Sequence, residues 1–152
     1  MKIALGCDHG GYSLKQTVAD ELKNLGHIVL DCGAKSYDAA DDYPDFARAV
    51  GEKVQRGEAE RGIVICGSGV GACVAANKVA GVRAGMCHDT YSAHQGVEHD
   101  NINVLVMGSR VVGVKLAEDL VKAFLGAQFS REERHVRRLA KVKALEDKML
   151  KI

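Results

Sequence analysis

The chain has little of what marks a disordered, fibrous or membrane-spanning protein. It contains one proline in 152 residues, and 47% of its residues are hydrophobic while 27% are charged. This composition is typical of a globular chain and argues against a disordered or collagen-like one. No apolar run approaches the roughly 18 residues that a transmembrane helix requires. The beginning of the chain also lacks a signal peptide's apolar stretch, so we expect one cytoplasmic domain over residues 1–152.

The sequence also has almost no net charge. Its 21 basic and 20 acidic side chains leave a formal charge of +1, which offers no basic field for a nucleic acid. The charge is unevenly distributed, because residues 131–152 carry eight Lys or Arg against four acids. This basic end indicates either an anionic ligand or partner, or a solvated helix face. We expect neither a nucleic acid nor a membrane as a partner.

The cysteines have no spacing that suggests a disulfide framework or a zinc site. They are odd in number, with no C-x-x-C pair, and stand at Cys7, Cys32, Cys66, Cys73 and Cys87. No H-E-x-x-H or comparable spacing is present either, so we expect no metal. Most of these residues should be reduced thiols that pack as small hydrophobic side chains.

Short apolar runs alternate with longer segments of helical period. Strands are expected at 3–7, 27–31, 62–66, 82–87 and 104–107, with amphipathic helices between and after them. This alternation predicts a doubly wound α/β domain, a three-layer α/β/α sandwich with a five-stranded parallel sheet. We expect a Rossmann-like or flavodoxin-like strand order, 2-1-3-4-5, and an extra C-terminal helix at 131–152. The apolar stripe of that helix must pack on the same body or on a second subunit, and it consists of Leu139, Val142, Leu145 and Met149.

Two glycine-containing loops fall at the same point of the expected sheet. In an open α/β sheet, ligands bind outside the carboxyl ends of the strands, where the strand order reverses. For the expected order, that point lies between the first and third strands, which end in Asp8-His9 and in the segment 67–71. A glycine-rich loop before a helix presents backbone amides that favour an anion, so residues 67–71 predict an anion-binding loop.

Several side chains near this crevice can carry chemistry. Cys66 faces the loop, and a thiol beside a helix N-terminus has a lowered pKa, which suits it to act as a nucleophile or base. His9 and His99 lie in polar loop runs. Arg134 and Arg138 share a helix face and could take a phosphate together.

The same loop also satisfies a permissive dinucleotide-binding fingerprint. Residues 67–72 match G-x-G-x-x-G/A, and Asp89 follows after the next strand. Against this interpretation, the motif follows the third strand rather than the first, and the chain leaves no room for a separate substrate domain. A non-catalytic nucleotide-binding module and a purely structural oligomerisation domain are therefore kept as alternatives.

Seven motifs are spread in order along nearly the whole chain. They are GCDHGG at 6–11, DYP at 42–44, ICGSGVG at 65–71, AANK at 75–78, NVL at 103–105, GSRVVG at 108–113 and RH at 134–135. Together they resemble the type B ribose-5-phosphate isomerases and their sugar-phosphate relatives. The resemblance implies a metal-free and cofactor-free aldose–ketose isomerisation through a cis-enediolate. Ribose 5-phosphate is the expected substrate, with erythrulose 4-phosphate, allose 6-phosphate and galactose 6-phosphate as alternatives.

The resemblance also implies roles for individual residues. Cys66 would be the base that moves a proton between C1 and C2, because the loop position that carries glutamate in some members is Val70 here. Ser68 would help to shuttle protons, while His99 and Asp8 would assist ring opening. The amides of the glycine loop would form an oxyanion hole. The substrate-binding residues implied by the family are His9, Tyr43, Gly67, Gly69, Val70, Gly71, Asn77, Asp100, Arg110, Arg134 and Arg138.

The family site lies between subunits, so the resemblance implies a homodimer or homotetramer, which would explain the basic C-terminal helix. Asp100 departs from the family, which commonly has asparagine after the histidine at the position of His99. This exchange places a carboxylate close to the substrate and bears on the choice of sugar more than on the reaction.

Overall fold

A computed structural model describes residues 1–151, in which strands alternate with helices until a final pair of helices. The elements of this part of the chain are β1 (Lys2–Cys7), α1 (Tyr12–Asn24), β2 (Ile28–Asp31), α2 (Tyr43–Gln55), β3 (Arg61–Cys66), α3 (Val70–Ala76), β4 (Ala84–Met86), α4 (Thr90–Asp100), β5 (Val104–Gly108), α5 (Val114–Gly126) and α6 (Glu133–Met149).

The strands form one parallel sheet in the order β2-β1-β3-β5-β4. Leu5 of β1 lies opposite Ile63 of β3, which in turn lies opposite Leu105 of β5. The predicted α/β class with a doubly wound parallel sheet is confirmed. The predicted order of the last two strands, 4-5, is wrong, because β5 rather than β4 lies beside β3.

The positions of β4 and β5 follow from their length and burial. All five residues of β5 are buried, whereas β4 has three residues, of which Met86 is exposed. A strand in the middle of a parallel sheet needs apolar side chains on both faces, while a short strand suits an edge. The segment 82–87 therefore contributes only a short edge strand.

Alternate side chains of the strands enter two separate cores, one on each face of the sheet. Ile63 and Leu105 pack with Phe124 and other side chains of α1, α4 and α5. Val64 and Val106 face the other way and pack on smaller side chains of α2 and α3. Each such buried side chain contributes roughly 1.5–3 kcal/mol. The two cores hold the sheet between helices and so fix where the strands end.

The helix α6 packs less closely than the others. His135 is its buried residue, while Leu145 and Met149 are each 65% exposed and Val142 is 52% exposed. A groove of about 880 Å³ lies between this apolar stripe and the connection from α3 to β4. The body of the same chain therefore does not cover the stripe, which leaves a second subunit as the predicted packing partner.

None of the helices within residues 1–151 is long and apolar enough to span a bilayer. The longest of them, α6, has 17 residues and carries many charged side chains. The cytoplasmic location expected from the sequence stays a prediction.

Candidate active site

The loops that follow β1, β3 and β5 meet at the carboxyl edge of the sheet. A Cβ atom on Gly10 would lie 2.8 Å from the Gly67 nitrogen, and one on Gly11 would lie 2.1 Å from the Ile65 carbonyl oxygen. Glycine is needed at both positions because any side chain would meet backbone. Ser109 closes the third side by donating its hydroxyl to the Gly10 carbonyl. The predicted juxtaposition of the first and third loops is therefore present.

Cys66 ends β3 and faces the glycine loop. The residue is 5% exposed, and its sulfur accepts a hydrogen bond from the Gly69 amide at 3.1 Å. Gly69 has a φ of 89°, a left-handed conformation that favours glycine and that turns the loop around the sulfur. The loop therefore holds the thiol against the Gly69 amide.

The rest of the loop is open to a ligand. Ser68 is exposed, and its hydroxyl accepts a hydrogen bond from the Val70 amide at 3.3 Å. The Tyr43 ring lies against Gly71, where a Cβ atom would come within 2.7 Å of the ring. The Arg110 guanidinium lies against Gly67, where a Cβ atom would be 3.4 Å from the nearest guanidinium nitrogen. The structure thus brings one group of predicted residues together: Asp8, His9, Tyr43, Cys66, Gly67, Ser68, Gly69, Val70, Gly71 and Arg110.

Asp8 and His9 form the opposite wall of the crevice. Asp8 is 6% exposed, and its Oδ1 accepts a hydrogen bond from the Gly11 amide at 3.0 Å. The ring Nδ1 of His9 lies 2.6 Å from Oδ1 of Asp41. This hydrogen bond, together with the charge of Asp8, raises the pKa of His9, although burial and Arg110 oppose the shift. The imidazole beside the glycine loop therefore has a carboxylate partner that favours its protonated form.

Asp8, His9 and Asp41 could hold a metal ion, because each offers one ligand atom and these atoms lie within 4.8 Å of one another. Two of the atoms are already engaged with each other through the His9–Asp41 hydrogen bond. A cation would have to displace that bond. The absence of a metal, expected from the sequence, stays a prediction.

A second group of predicted residues lies near the amino ends of the strands, opposite the carboxyl edge of the sheet. The helix α4 runs back from the carboxyl edge, so His99 and Asp100 in its last turn lie near the start of β5. The prediction that His99 lies in a loop is wrong, because the helix extends to Asp100. The five residues of β5 span roughly 16 Å between the two edges. Within one chain, His99 and Asp100 are therefore remote from Cys66.

His99 is held by two neighbours. Its ring stacks on the ring of His135 in α6 at a centroid distance of 4.1 Å, and its Nδ1 lies 2.8 Å from the Gln95 amide nitrogen. His135 is 2% exposed and bonds the Ser130 hydroxyl at 2.7 Å. Burial, followed by the neighbouring His99, lowers the pKa of His135. Burial therefore favours the neutral form of His135, in which the ring stacks on His99 without adding charge.

Arg134, Arg138 and Asn77 also belong to this second region. Arg134 is exposed and pairs with Glu132 at 3.0 Å, and Arg138 lines the groove beside α6 together with Asn77 and Asp100. The side-chain amide of Asn77 both donates to and accepts from the backbone of Ala84 at 2.9 Å. Asn77 therefore fastens β4 to α3 and does not face Cys66.

The remaining cysteines behave as the sequence predicts. Burial raises the pKa of Cys87 to about 11, and it raises the pKa of the other three as well. These thiols are free rather than disulfide-bonded. Their environment suits packing and not chemistry.

Sequence reasoning missed three residues that shape the crevice. Asp41 bonds His9, Tyr37 lies edge-on to the His9 ring with centroids 6.4 Å apart, and Nε2 of His88 accepts the Gly108 amide at 2.9 Å. The sequence marks Asp41 only as one of two acids before Tyr43. No local pattern shows that this segment folds back over β1.

The fold and the site define an α/β protein in which a glycine loop surrounds a buried thiol. The chain matches the family model described as Ribose/Galactose Isomerase over residues 3–142. It belongs to this family, as the motifs indicated, and is an isomerase of phosphorylated sugars.

Individual relatives agree with this assignment. The chain is 46% identical to ribose-5-phosphate isomerase B of Escherichia coli over 147 residues, 97% of each chain. It is 41% identical to D-erythrulose-4-phosphate isomerase of Pectobacterium atrosepticum over 132 residues, 85% of each chain. The solved structure of ribose-5-phosphate isomerase B from Clostridium thermocellum superposes with a TM-score of 0.94 at 48% identity, covering 98% of this chain and 99% of that one. These relatives favour the isomerase over a nucleotide-binding module.

Proposed function

We propose that the protein interconverts ribose 5-phosphate and ribulose 5-phosphate, with Cys66 as the base. The observation that carries this proposal is the Cys66 sulfur, held 3.1 Å from the Gly69 amide inside an anion-binding loop. Proton abstraction beside a carbonyl needs a base, donors for the developing oxyanion and exclusion of water. One chain offers the thiol and the amides of the glycine loop, and a second subunit would close the open side of the crevice against water.

The proposed reaction moves a proton between neighbouring carbons. The Cys66 thiolate removes the C2 proton of the open-chain aldose, the electron pair forms a C1–C2 double bond, and the C1 oxygen takes the negative charge. Loop amides stabilise this enediolate, since donors that are already in place cost no reorganisation. The thiol then returns the proton to C1, while Ser68 assists transfer of the O2 proton to O1. Hydrogen and electrons stay within the sugar, so the reaction consumes no cofactor.

The proposed site is completed by a second copy of the chain, in a homodimer or a homotetramer. His9 and Arg110 of one subunit and Arg134 and Arg138 of the other hold the phosphate. Asp8 assists ring opening from the first subunit and His99 from the second. Support for this arrangement comes from the uncovered apolar stripe of α6 and from the separation of His99 from Cys66 within one chain.

The test measures ketose formation from ribose 5-phosphate in buffer with EDTA, for the wild type and for Cys66→Ala. Removing the base should lower kcat by about 10²–10⁴-fold. Cys32→Ala is the matched control, because it makes the same substitution at a half-buried thiol outside the crevice and should retain activity. Circular dichroism and thermal melting show whether both variants fold. Full activity of Cys66→Ala would exclude Cys66 as the base.

The same assay includes the aldoses erythrose 4-phosphate, allose 6-phosphate and galactose 6-phosphate. The likeness to an erythrulose-4-phosphate isomerase and the carboxylate at Asp100 make these sugars the relevant competitors. Faster turnover of one of them would replace ribose 5-phosphate as the substrate and leave the chemistry unchanged. No turnover of any sugar, with or without EDTA, would overturn the proposal.

A further inference from the structure

The connection between β2 and α2, residues 32–42, folds back over the end of β1 and brings Asp41 against His9. Oδ1 of Asp41 accepts two hydrogen bonds from this one residue, from the backbone nitrogen at 3.0 Å and at the ring Nδ1, which lies 2.6 Å away. One carboxylate oxygen therefore fixes both the position of the His9 main chain and the rotation of its ring.

The other oxygen of Asp41 leaves His9 as the partner for the charge of this carboxylate among the described residues. Oδ2 is buried and has no hydrogen-bond partner within residues 1–151, and the side chain as a whole is 10% exposed. A buried carboxylate is costly unless a cation compensates its charge. Within residues 1–151 the side chain that bonds Asp41 is His9, so a protonated imidazole would compensate the charge of the carboxylate.

The groups around His9 also favour its protonated form on balance. Asp8 and Asp41 face it with two carboxylates, Arg110 opposes them with one guanidinium, and the Tyr37 ring meets it edge-on at 89°. With Nδ1 engaged by Asp41, the ring nitrogen left for a ligand is Nε2. A protonated Nε2 donates a charge-assisted hydrogen bond, which is the contact that a phosphate oxygen favours.

We infer that Asp41 is a positioning residue that holds His9 as an oriented cation for the phosphate group of the substrate. Asp41 touches neither the phosphate nor the reacting carbons, and it acts entirely through His9. The identity of the ligand rests on the proposed function, whereas the action of Asp41 on His9 does not.

This arrangement has a consequence for the pH dependence of binding. The pKa of His9 is raised, chiefly by the Asp41 hydrogen bond, so His9 keeps its proton to a higher pH than it would without that bond. Phosphate affinity should be retained below the raised pKa and lost as the pH rises through it. Without the carboxylate, the loss should begin at lower pH.

The first experiment titrates the His9 imidazole by NMR in the full chain without substrate. In Asp41→Asn the pKa of His9 should fall toward its ordinary value, whereas in Asp38→Asn it should stay as in the wild type. Asp38 is the matched control because it is exposed, lies in the same connection and loses the same charge. Should Asp41→Asn fail to fold, Asp41→Ser replaces it. An unchanged pKa of His9 without the Asp41 carboxylate would overturn the inference.

The second experiment measures the affinity for inorganic phosphate and the KM and kcat for the sugar phosphate that the enzyme turns over fastest. Loss of one charge-assisted contact should raise Kd and KM about tenfold in Asp41→Asn, while kcat changes less than about twofold. In a His9→Gln background, Asp41→Asn should add nothing further. A further loss in that background would show that Asp41 acts by another route. Failure of all sugars would reject the proposed function, and the NMR titration would still decide on Asp41.

Discussion

The two regions that carry the predicted site residues are built in opposite ways. At the carboxyl edge, the loops after β1, β3 and β5 touch through backbone, with Gly10 against Gly67, and Cys66 and Asp8 are buried. In the region of α4 and α6, Arg134 and Arg138 are exposed and the apolar stripe of α6 is uncovered. A parallel sheet can assemble loops from neighbouring strands within one chain. Residues on a peripheral helix need a further surface to gain a fixed position.

Mixing two inactive variants should restore activity if the two regions meet in one site from different subunits. Cys66→Ala removes the base from the carboxyl-edge region, and His99→Asn removes a residue of the other region. If one site combines both regions from different subunits, a mixed dimer holds one intact site, so random mixing should restore about a quarter of wild-type activity. Co-expression with two affinity tags and measurement of turnover provides the test. Activity no higher than that of the single variants would mean that both residues serve the same subunit's site.

The next prediction concerns the uncovered stripe of α6. Leu145→Asp should weaken self-association by at least about 100-fold, because an apolar contact is lost and a charge would be buried. Sedimentation and activity should fall together as the protein is diluted. Lys141→Asp is the control, since it also places a carboxylate on α6 but at an exposed residue that does not line the groove. Full association of Leu145→Asp would remove α6 from the interface.

A third prediction uses the lowered pKa of His135 to measure how firmly α6 is attached to α4. The unfolded chain binds this proton more readily than the folded one, so the contribution of His135 to stability is present above the usual histidine pKa. It is lost as the pH falls from there through the lowered pKa. Thermal melting of wild type and His135→Gln between about pH 7.5 and pH 5 should show a smaller decrease in Tm for the variant. Equal decreases would contradict a neutral, buried His135.

A small effect on substrate binding is expected from the charge of Asp100. Asp100 is exposed at the end of α4, where it faces the same groove as Arg138. Replacement by the amide in Asp100→Asn should lower KM for ribose 5-phosphate about two- to fivefold, because exposed charges interact weakly and are screened by salt. Steady-state kinetics at low and high ionic strength check this expectation. An equal KM for Asp100→Asn and the wild type at low salt would show that the Asp100 charge does not act on the bound phosphate group.

The carboxyl-edge region could be predicted from sequence because its residues adjoin strands. Cys66 and Asp8 follow apolar runs whose ends must lie at the same edge of a parallel sheet, so their proximity follows from the strand order alone. The order of β4 and β5 was harder to predict from the sequence, since both segments are short and apolar. The deciding features were the brevity of β4 and the burial of β5 on both faces.

The contacts of His9 and His99 could not be predicted in the same way. The hydrogen bond from His9 to Asp41 joins residues 32 positions apart through an irregular connection. The stacking of His99 on His135 joins two helices that have no pairing rule of their own. Such contacts depend on the path of loops and on packing angles, which periodicity does not encode.

The α/β class and the family follow from the sequence, because hydrophobic periodicity and contiguous motifs encode them, whereas anion binding by the loop around Cys66 stays a prediction. Three features needed the folded structure: β4 is the edge strand, Asp41 holds His9, and His99 lies near the amino ends of the strands while Cys66 lies at their carboxyl ends. Residues close in sequence specify the helices and strands and where they end. Contacts between residues distant in sequence set how far apart those elements lie.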